Sequence, residues 1–280
     1  MGGHIHVVGV AGVGMSALAQ VLCWTHERVT GSDRHLDRGH SMPVLDRLRA
    51  AGVELVQQDG AAIHCDTEAV VYSTAIEADN PDMAAAKEKS VPLKHRAAVL
   101  AELAPGHGVL AVAGTAGKTT TTGMVGWALE QLGADPTVIN GGALVQWADA
   151  AHVGNVRRGA PGAPWVIEVD ESDRSLLQFH PDWSILTNIS QDHFSLAEVQ
   201  DVFRAFATQV QTGIVCGAGV KEVLGPQSAR VVEVAAVPQR TDAGFDVPWR
   251  GQRLAVPQPG AHNAFDALLA AELCAQLGYA

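Results

Sequence analysis

A chain of 280 residues that is 47% hydrophobic and 18% charged has apolar material for one large core or two smaller ones, which excludes intrinsic disorder. Its 19 Lys and Arg stand against 30 Asp and Glu, and the net charge of −11 argues against a general nucleic-acid partner while leaving room for a local anion site. Four scattered cysteines without a CxxC pair, no apolar run near the ~18 residues that span a bilayer, and no signal-peptide start point to a reduced, cytoplasmic α/β protein with no membrane insertion.

In chain order, residues 4–10 read as a short strand on which His4 and His6 share one face as structural or exposed side chains. A turn with Gly9, Gly12 and Gly14 follows, then a helix from Met15 to about Trp24 and a strand from Arg28 to Gly31 that ends at Ser32 and Asp33. Ser41, two residues before Pro43, signals a helix start. Strands at 53–57, 69–76 and 91–93 alternate with helices at 82–89 and 96–103, the pattern of a doubly wound parallel sheet. Residues 104–108 read as a linker. Beyond it come a strand at 109–114, a glycine-threonine loop and a helix from Lys118 to Leu132. Buried strands are expected at 137–140, 165–170 and 184–190, and a surface loop in the Gly/Pro-rich stretch 155–164. An amphipathic helix at 197–210 presents Val199, Val202, Phe203 and Phe206 on one face. Short strands fill 213–256, and a last helix runs from about Asn263 to Gln276. The economical division is two α/β units, 1–104 and 105–280.

The strongest chemical signal is Gly114-Thr115-Ala116-Gly117-Lys118-Thr119-Thr120, placed between an apolar strand and a helix. Successive backbone N–H groups of such a loop cradle phosphate oxygens, and the helix N-terminus adds partial positive charge. Lys118 would reach the β- and γ-phosphates and Thr119 would ligate Mg²⁺. The spacing departs from GxxxxGK[ST], because Val112 stands where the first Gly should be. Glu168 interrupts an apolar strand and needs a cation or donor, so a role in holding Mg²⁺ is expected, whereas Glu171 and Asp173 read as a solvated acidic loop. His193 follows a buried strand whose end shares the sheet edge with Thr119 and Glu168, which makes it a metal-ligand candidate. The first glycine turn has the order GxxGxG rather than GxGxxG. It supports a diphosphate site at a helix N-terminus, with an NAD-dependent oxidoreductase as one alternative.

Taken together, residues 9–19 (GVAGVGMSALA), 31–33 (GSD), 73–82 (STAIEADNPD), 114–122 (GTAGKTTTT), 140–144 (NGGAL), 168–173 (EVDESD), 186–193 (LTNISQDH) and 261–271 (AHNAFDALLAA) resemble the Mur ligases in matching order. The resemblance implies a Rossmann-like UDP-sugar domain followed by a P-loop-type α/β ATPase domain, with a C-terminal amino-acid domain that would begin where this chain stops. It implies an ATP- and Mg²⁺-dependent ligase of peptidoglycan synthesis that joins L-alanine to the lactyl carboxylate of UDP-N-acetylmuramate through an acyl phosphate. Ser172 favours this activity over the related murein tripeptide ligase, which usually has Tyr there. By the same resemblance Lys118, Glu168 and His193 are catalytic, with Thr119, Glu168 and His193 at magnesium, residues 114–120 on the ATP phosphates and Asn263 on the adenine. Gly9, Gly12, Gly14, Met15, Ser16 and Asp33 would receive the UDP-sugar. Ala116 and Asp266 replace a usual His and Asn. With no C-terminal domain, the chain alone is expected to bind nucleotides and ligate poorly, and a non-catalytic or partner-dependent nucleotide module is the alternative. The oligomeric state is left open.

Overall fold

The computed structural model describes residues 2–190 and 195–279. The chain divides into two compact units, Met1–Leu103 with Ile139–Arg158, and Ala104–Val138 with Gly159–Ala280. Through the first unit's main segment run β1 (Gly2–Val8), α1 (Val13–Leu22), β2 (His26–Ser32), α2 (Arg34–Asp37), α3 (Pro43–Ala50), β3 (Glu54–Val56), β4 (Thr67–Tyr72), α4 (Pro81–Glu88), β5 (Leu93–His95) and α5 (Arg96–Leu103). The strands form a parallel sheet in the order β3-β2-β1-β4-β5. Central β1 carries Ile5, Val7 and Val8, all buried, as a strand covered on both faces requires. Its register sets Val8 beside Ser32, so the glycine turn after β1 lies next to Asp33.

His4 and His6 are buried rather than exposed. His4 bonds Thr30 and Thr67 through its two ring nitrogens, and His6 bonds Thr30 and Asp82. Asp82 also accepts from Ser32 Oγ at 2.5 Å and from the Gly60 amide. Burial alone would raise the Asp82 carboxyl, but donation from His6, Ser32 and Gly60 holds it below the ordinary carboxylate range. Burial keeps the His4 imidazole below its ordinary value.

The later elements are β6 (Val109–Ala113), α6 (Lys118–Gln131), β7 (Thr137–Ile139), β8 (Val156–Arg157), β9 (Trp165–Glu168), β10 (Trp183–Leu186), α7 (Leu196–Ala207), β11 (Gly213–Cys216), α8 (Val220–Leu224), β12 (Arg230–Glu233), β13 (Gln239–Thr241), β14 (Gly244–Trp249), β15 (Gln252–Val256) and α9 (Ala261–Gln276). The main sheet has the order β12-β11-β10-β6-β9-β7-β8. All five residues of β6 are buried, and the pairs from β12 across to β9 run parallel. On α7, Val199, Val202, Phe203 and Phe206 are all buried, and Ser195 closes a capping box with Glu198. The antiparallel sheet β13-β14-β15 packs Val247 and Val256 against Ala264 and Leu268 of α9.

Two sequence expectations are corrected here. Ser41 does not start a helix: Met42 occupies the cap position of α3 and Pro43 its first turn, because the fixed φ of proline suits that turn. Residues 155–164 are not a surface loop throughout, since Asn155 and Val156 are buried and residues 156–157 form β8. The Asn155 amide donates to the Val13 carbonyl and Ser16 Oγ and accepts from Gln20, so it fastens α1 inside the first unit.

Candidate functional site

The register of the second unit explains its site. Val112 pairs with Glu168 and Ala113 with Leu186, so β6, β9 and β10 end together and release Gly114, Val169 and Thr187 at one sheet edge. Gly117 caps α6 with φ 81°, a left-handed conformation that favours glycine, and a Cβ there would meet Asp266 Oδ1 at 2.8 Å.

The segment after β10 holds the loop. Asn188 Nδ2 donates to the Ala116 carbonyl at 2.8 Å and its Oδ1 accepts from Thr115 Oγ1 at 2.6 Å and from the Ala116 amide at 3.2 Å. The Thr115 amide donates to the Asn188 carbonyl, and Thr187 Oγ1 donates to the Ala116 carbonyl. The amides of Thr115 and Ala116 are therefore directed at Asn188, not at a cradled phosphate as the sequence suggested. The donors left for an anion include the amides at the start of α6, from the capping Gly117 through Lys118, Thr119 and Thr120, which have no intrahelical acceptor.

Lys118 Nζ donates to the Gly114 carbonyl at 2.9 Å and to Glu171 Oε2 at 2.8 Å. Glu171 is only 4% exposed, so the expectation of a solvated loop fails for it. A buried carboxylate needs a cation, and the loop lysine supplies one. Thr119 Oγ1 donates to Glu168 Oε1 at 2.9 Å. This hydroxyl and carboxylate are hard oxygen donors that suit Mg²⁺, which binds through few protein oxygens together with substrate phosphates. His193 lies outside the described residues, and among those described no cluster of three His, Cys, Asp or Glu side chains forms a metal site. Asn263 sits in the first turn of α9, where its Nδ2 donates to the Pro259 carbonyl at 2.7 Å.

In the first unit, Gly9, Gly12, Met15 and Asp33 line a cleft of about 250 Å³. Asp33 shapes it: Oδ2 accepts from the Ala11 amide and Oδ1 from the His35 amide, tying the glycine turn to α2. Sequence reasoning missed the rest of the lining, including His35, Met42, Gln58, Ile76, Asn80 and the ion pair of Arg34 with Glu77. Arg34 and His35 directly follow Asp33, and Ile76, Glu77 and Asn80 fall in the segment 73–82 that carries the family resemblance, a signal that could have found them, whereas Met42 and Gln58 stand apart in the sequence. Gly14 faces Arg96 instead, and the buried Ser16 hydroxyl donates to the Val13 carbonyl.

Comparison with known proteins places the chain in a family. Residues 4–107 match the Mur ligase family, catalytic domain, and residues 112–210 the Mur ligase middle domain. The UDP-N-acetylmuramate–L-alanine ligases of Sinorhizobium medicae and Rhizobium meliloti are 36% and 37% identical over 99% of this chain. The chain spans 63% of the length of those relatives. The crystal structure of the UDP-N-acetylmuramate-alanine ligase of Thermotoga maritima superposes with a TM-score of 0.81 at 28% identity, covering 99% of this chain and 65% of that one. The structure of a UDP-N-acetylmuramate:L-alanyl-gamma-D-glutamyl-meso-diaminopimelate ligase from Neisseria meningitides, 24% identical, shares the fold with a TM-score of 0.82 over 99% of this chain and 94% of that one. The chain belongs to the Mur ligase family and carries its N-terminal and middle domains.

Proposed function

We propose that this chain supplies the UDP-sugar-binding and ATP-binding parts of a cytoplasmic ligase of peptidoglycan synthesis, which joins L-alanine to the lactyl carboxylate of UDP-N-acetylmuramate. The observation that carries this reading is the phosphate loop, where the open first turn of α6, the Lys118 ammonium and the Thr119–Glu168 pair converge at one sheet edge. The names of the relatives supply the substrates.

The residues divide the work. The first-turn amides of α6 and Lys118 hold nucleotide phosphates, and Asn188 keeps the loop in shape for them. Thr119, Glu168 and His193 would hold magnesium, which would neutralise charge on phosphate oxygens. The Thr119 hydroxyl donates a hydrogen bond to Glu168, so an oxygen lone pair stays available to a cation. Asn263 orients the adenine, and the cleft at Gly9, Gly12, Met15 and Asp33 takes the UDP portion of the sugar nucleotide. Catalysis in such a site is positioning and charge stabilisation, because negative charge grows on oxygens as the carboxylate is activated and attacked.

Separate calorimetric titrations with UDP-N-acetylmuramate and with MgATP test the reading. Each is expected to bind once per chain, with neither displacing the other. Competition between the two for a single site would refute it.

A further inference from the structure

We propose that Glu171 is a positioning residue that aims the Lys118 ammonium at the bound nucleotide, an assignment that rests on the nucleotide reading of this loop. An ammonium group has three N–H donors. Among the described residues, two are engaged, by the Gly114 carbonyl at 2.9 Å and Glu171 Oε2 at 2.8 Å. Both partners are fixed points. Gly114 leaves the end of β6, and Glu171 sits 4% exposed in a tightly bonded turn.

That turn is built to direct one acid inward. Asp170 Oδ1 accepts from the Ser172 amide and Asp173 Oδ1 from the Ser175 amide, while the Arg174 amide donates to the Glu171 carbonyl and the Leu176 amide to the Asp170 carbonyl. Asp170 and Asp173 thus shape the backbone, and Glu171 pairs with the lysine. Two anchors on a flexible four-carbon stem restrict the ammonium to one orientation, with its third donor available to a phosphate oxygen. Holding that donor in place lowers the ordering cost when the nucleotide arrives.

Calorimetry with MgATP on the parent chain, E171Q and E171D, together with lysine-selective ¹⁵N spectra, tests the assignment. E171Q keeps a hydrogen-bond acceptor but loses the charge. It is expected to bind MgATP about tenfold more weakly and to lose the sharp Lys118 ammonium signal of the parent. E171D keeps the charge on a shorter arm and should recover part of both, and it carries the test if E171Q does not fold. Unchanged or tighter MgATP binding by the variants would overturn the role. So would weaker binding with the ammonium signal intact, because Glu171 would then act through something other than Lys118. A parent chain that binds no MgATP would overturn the nucleotide reading instead, and the ammonium signal would still report whether the ion pair orders the lysine.

Discussion

Asp266 packs beneath the phosphate loop, 6% exposed, against the point where Gly117 opens α6. Burial pushes its carboxyl up to about 6, against the opposing pull of Thr121 and His262. The ordinary value is 3.8, so between these limits the folded protein binds a proton that the unfolded chain releases. Stability therefore falls as pH rises through this window and levels off above it. D266N removes the titration. Denaturant melts at pH 4 and pH 7 should show the parent losing on the order of 2 kcal/mol relative to D266N, and parallel curves would contradict this. Lys118 is the second decisive residue. K118A is expected to weaken MgATP binding by about ten- to a hundredfold, the range of a lost charged hydrogen bond, and to leave UDP-N-acetylmuramate binding unchanged. Equal losses for both ligands in calorimetry would place Lys118 in a general structural role.

Among the elements, the end of β10 decides whether the loop is usable. Asn188 clips both the N–H and the carbonyl of Ala116, so N188A should cost about 1 kcal/mol in thermal unfolding and weaken MgATP with it. A variant with parent affinity would show that the clip is dispensable. The loop, the strands feeding it and helix α6 were legible in the sequence because buried parallel strands are continuous apolar runs and Gly-Lys-Thr marks a helix opening. Asn188 and Glu171 were not legible as loop partners. Asn188 lies 72 positions from Ala116 and Glu171 lies 53 from Lys118, and only the register of β6, β9 and β10 joins them. Local composition misled at residues 155–164, where glycine and proline suggested a loop although buried Asn155 anchors α1. The antiparallel sheet β13-β14-β15 appeared only as short strand-like pieces, since its core forms with α9.

Across the whole molecule, charge opposes the ligands the sites are read to take. The chain carries −11, and nucleotides arrive negative, so attraction comes only from local groups such as Lys118 and the α6 N-terminus. Salt should screen the long-range repulsion, and stopped-flow association of MgATP is expected to quicken as ionic strength rises from about 0.01 M to about 0.15 M, which shortens the Debye length from roughly 30 Å to roughly 8 Å. A rate that falls with salt would reveal a steering field that this composition does not suggest. The fold itself follows ordinary α/β logic, with two sheets whose core strands are parallel and whose carboxyl edges carry the candidate sites.

The most direct test is a crystal structure of the chain with Mg²⁺ and a non-hydrolysable ATP analogue. The account predicts the triphosphate over the first turn of α6, the Lys118 ammonium on its β- and γ-phosphates while still paired with Glu171, and the metal at Thr119 and Glu168. An analogue bound elsewhere, or a loop that excludes it, would contradict the account.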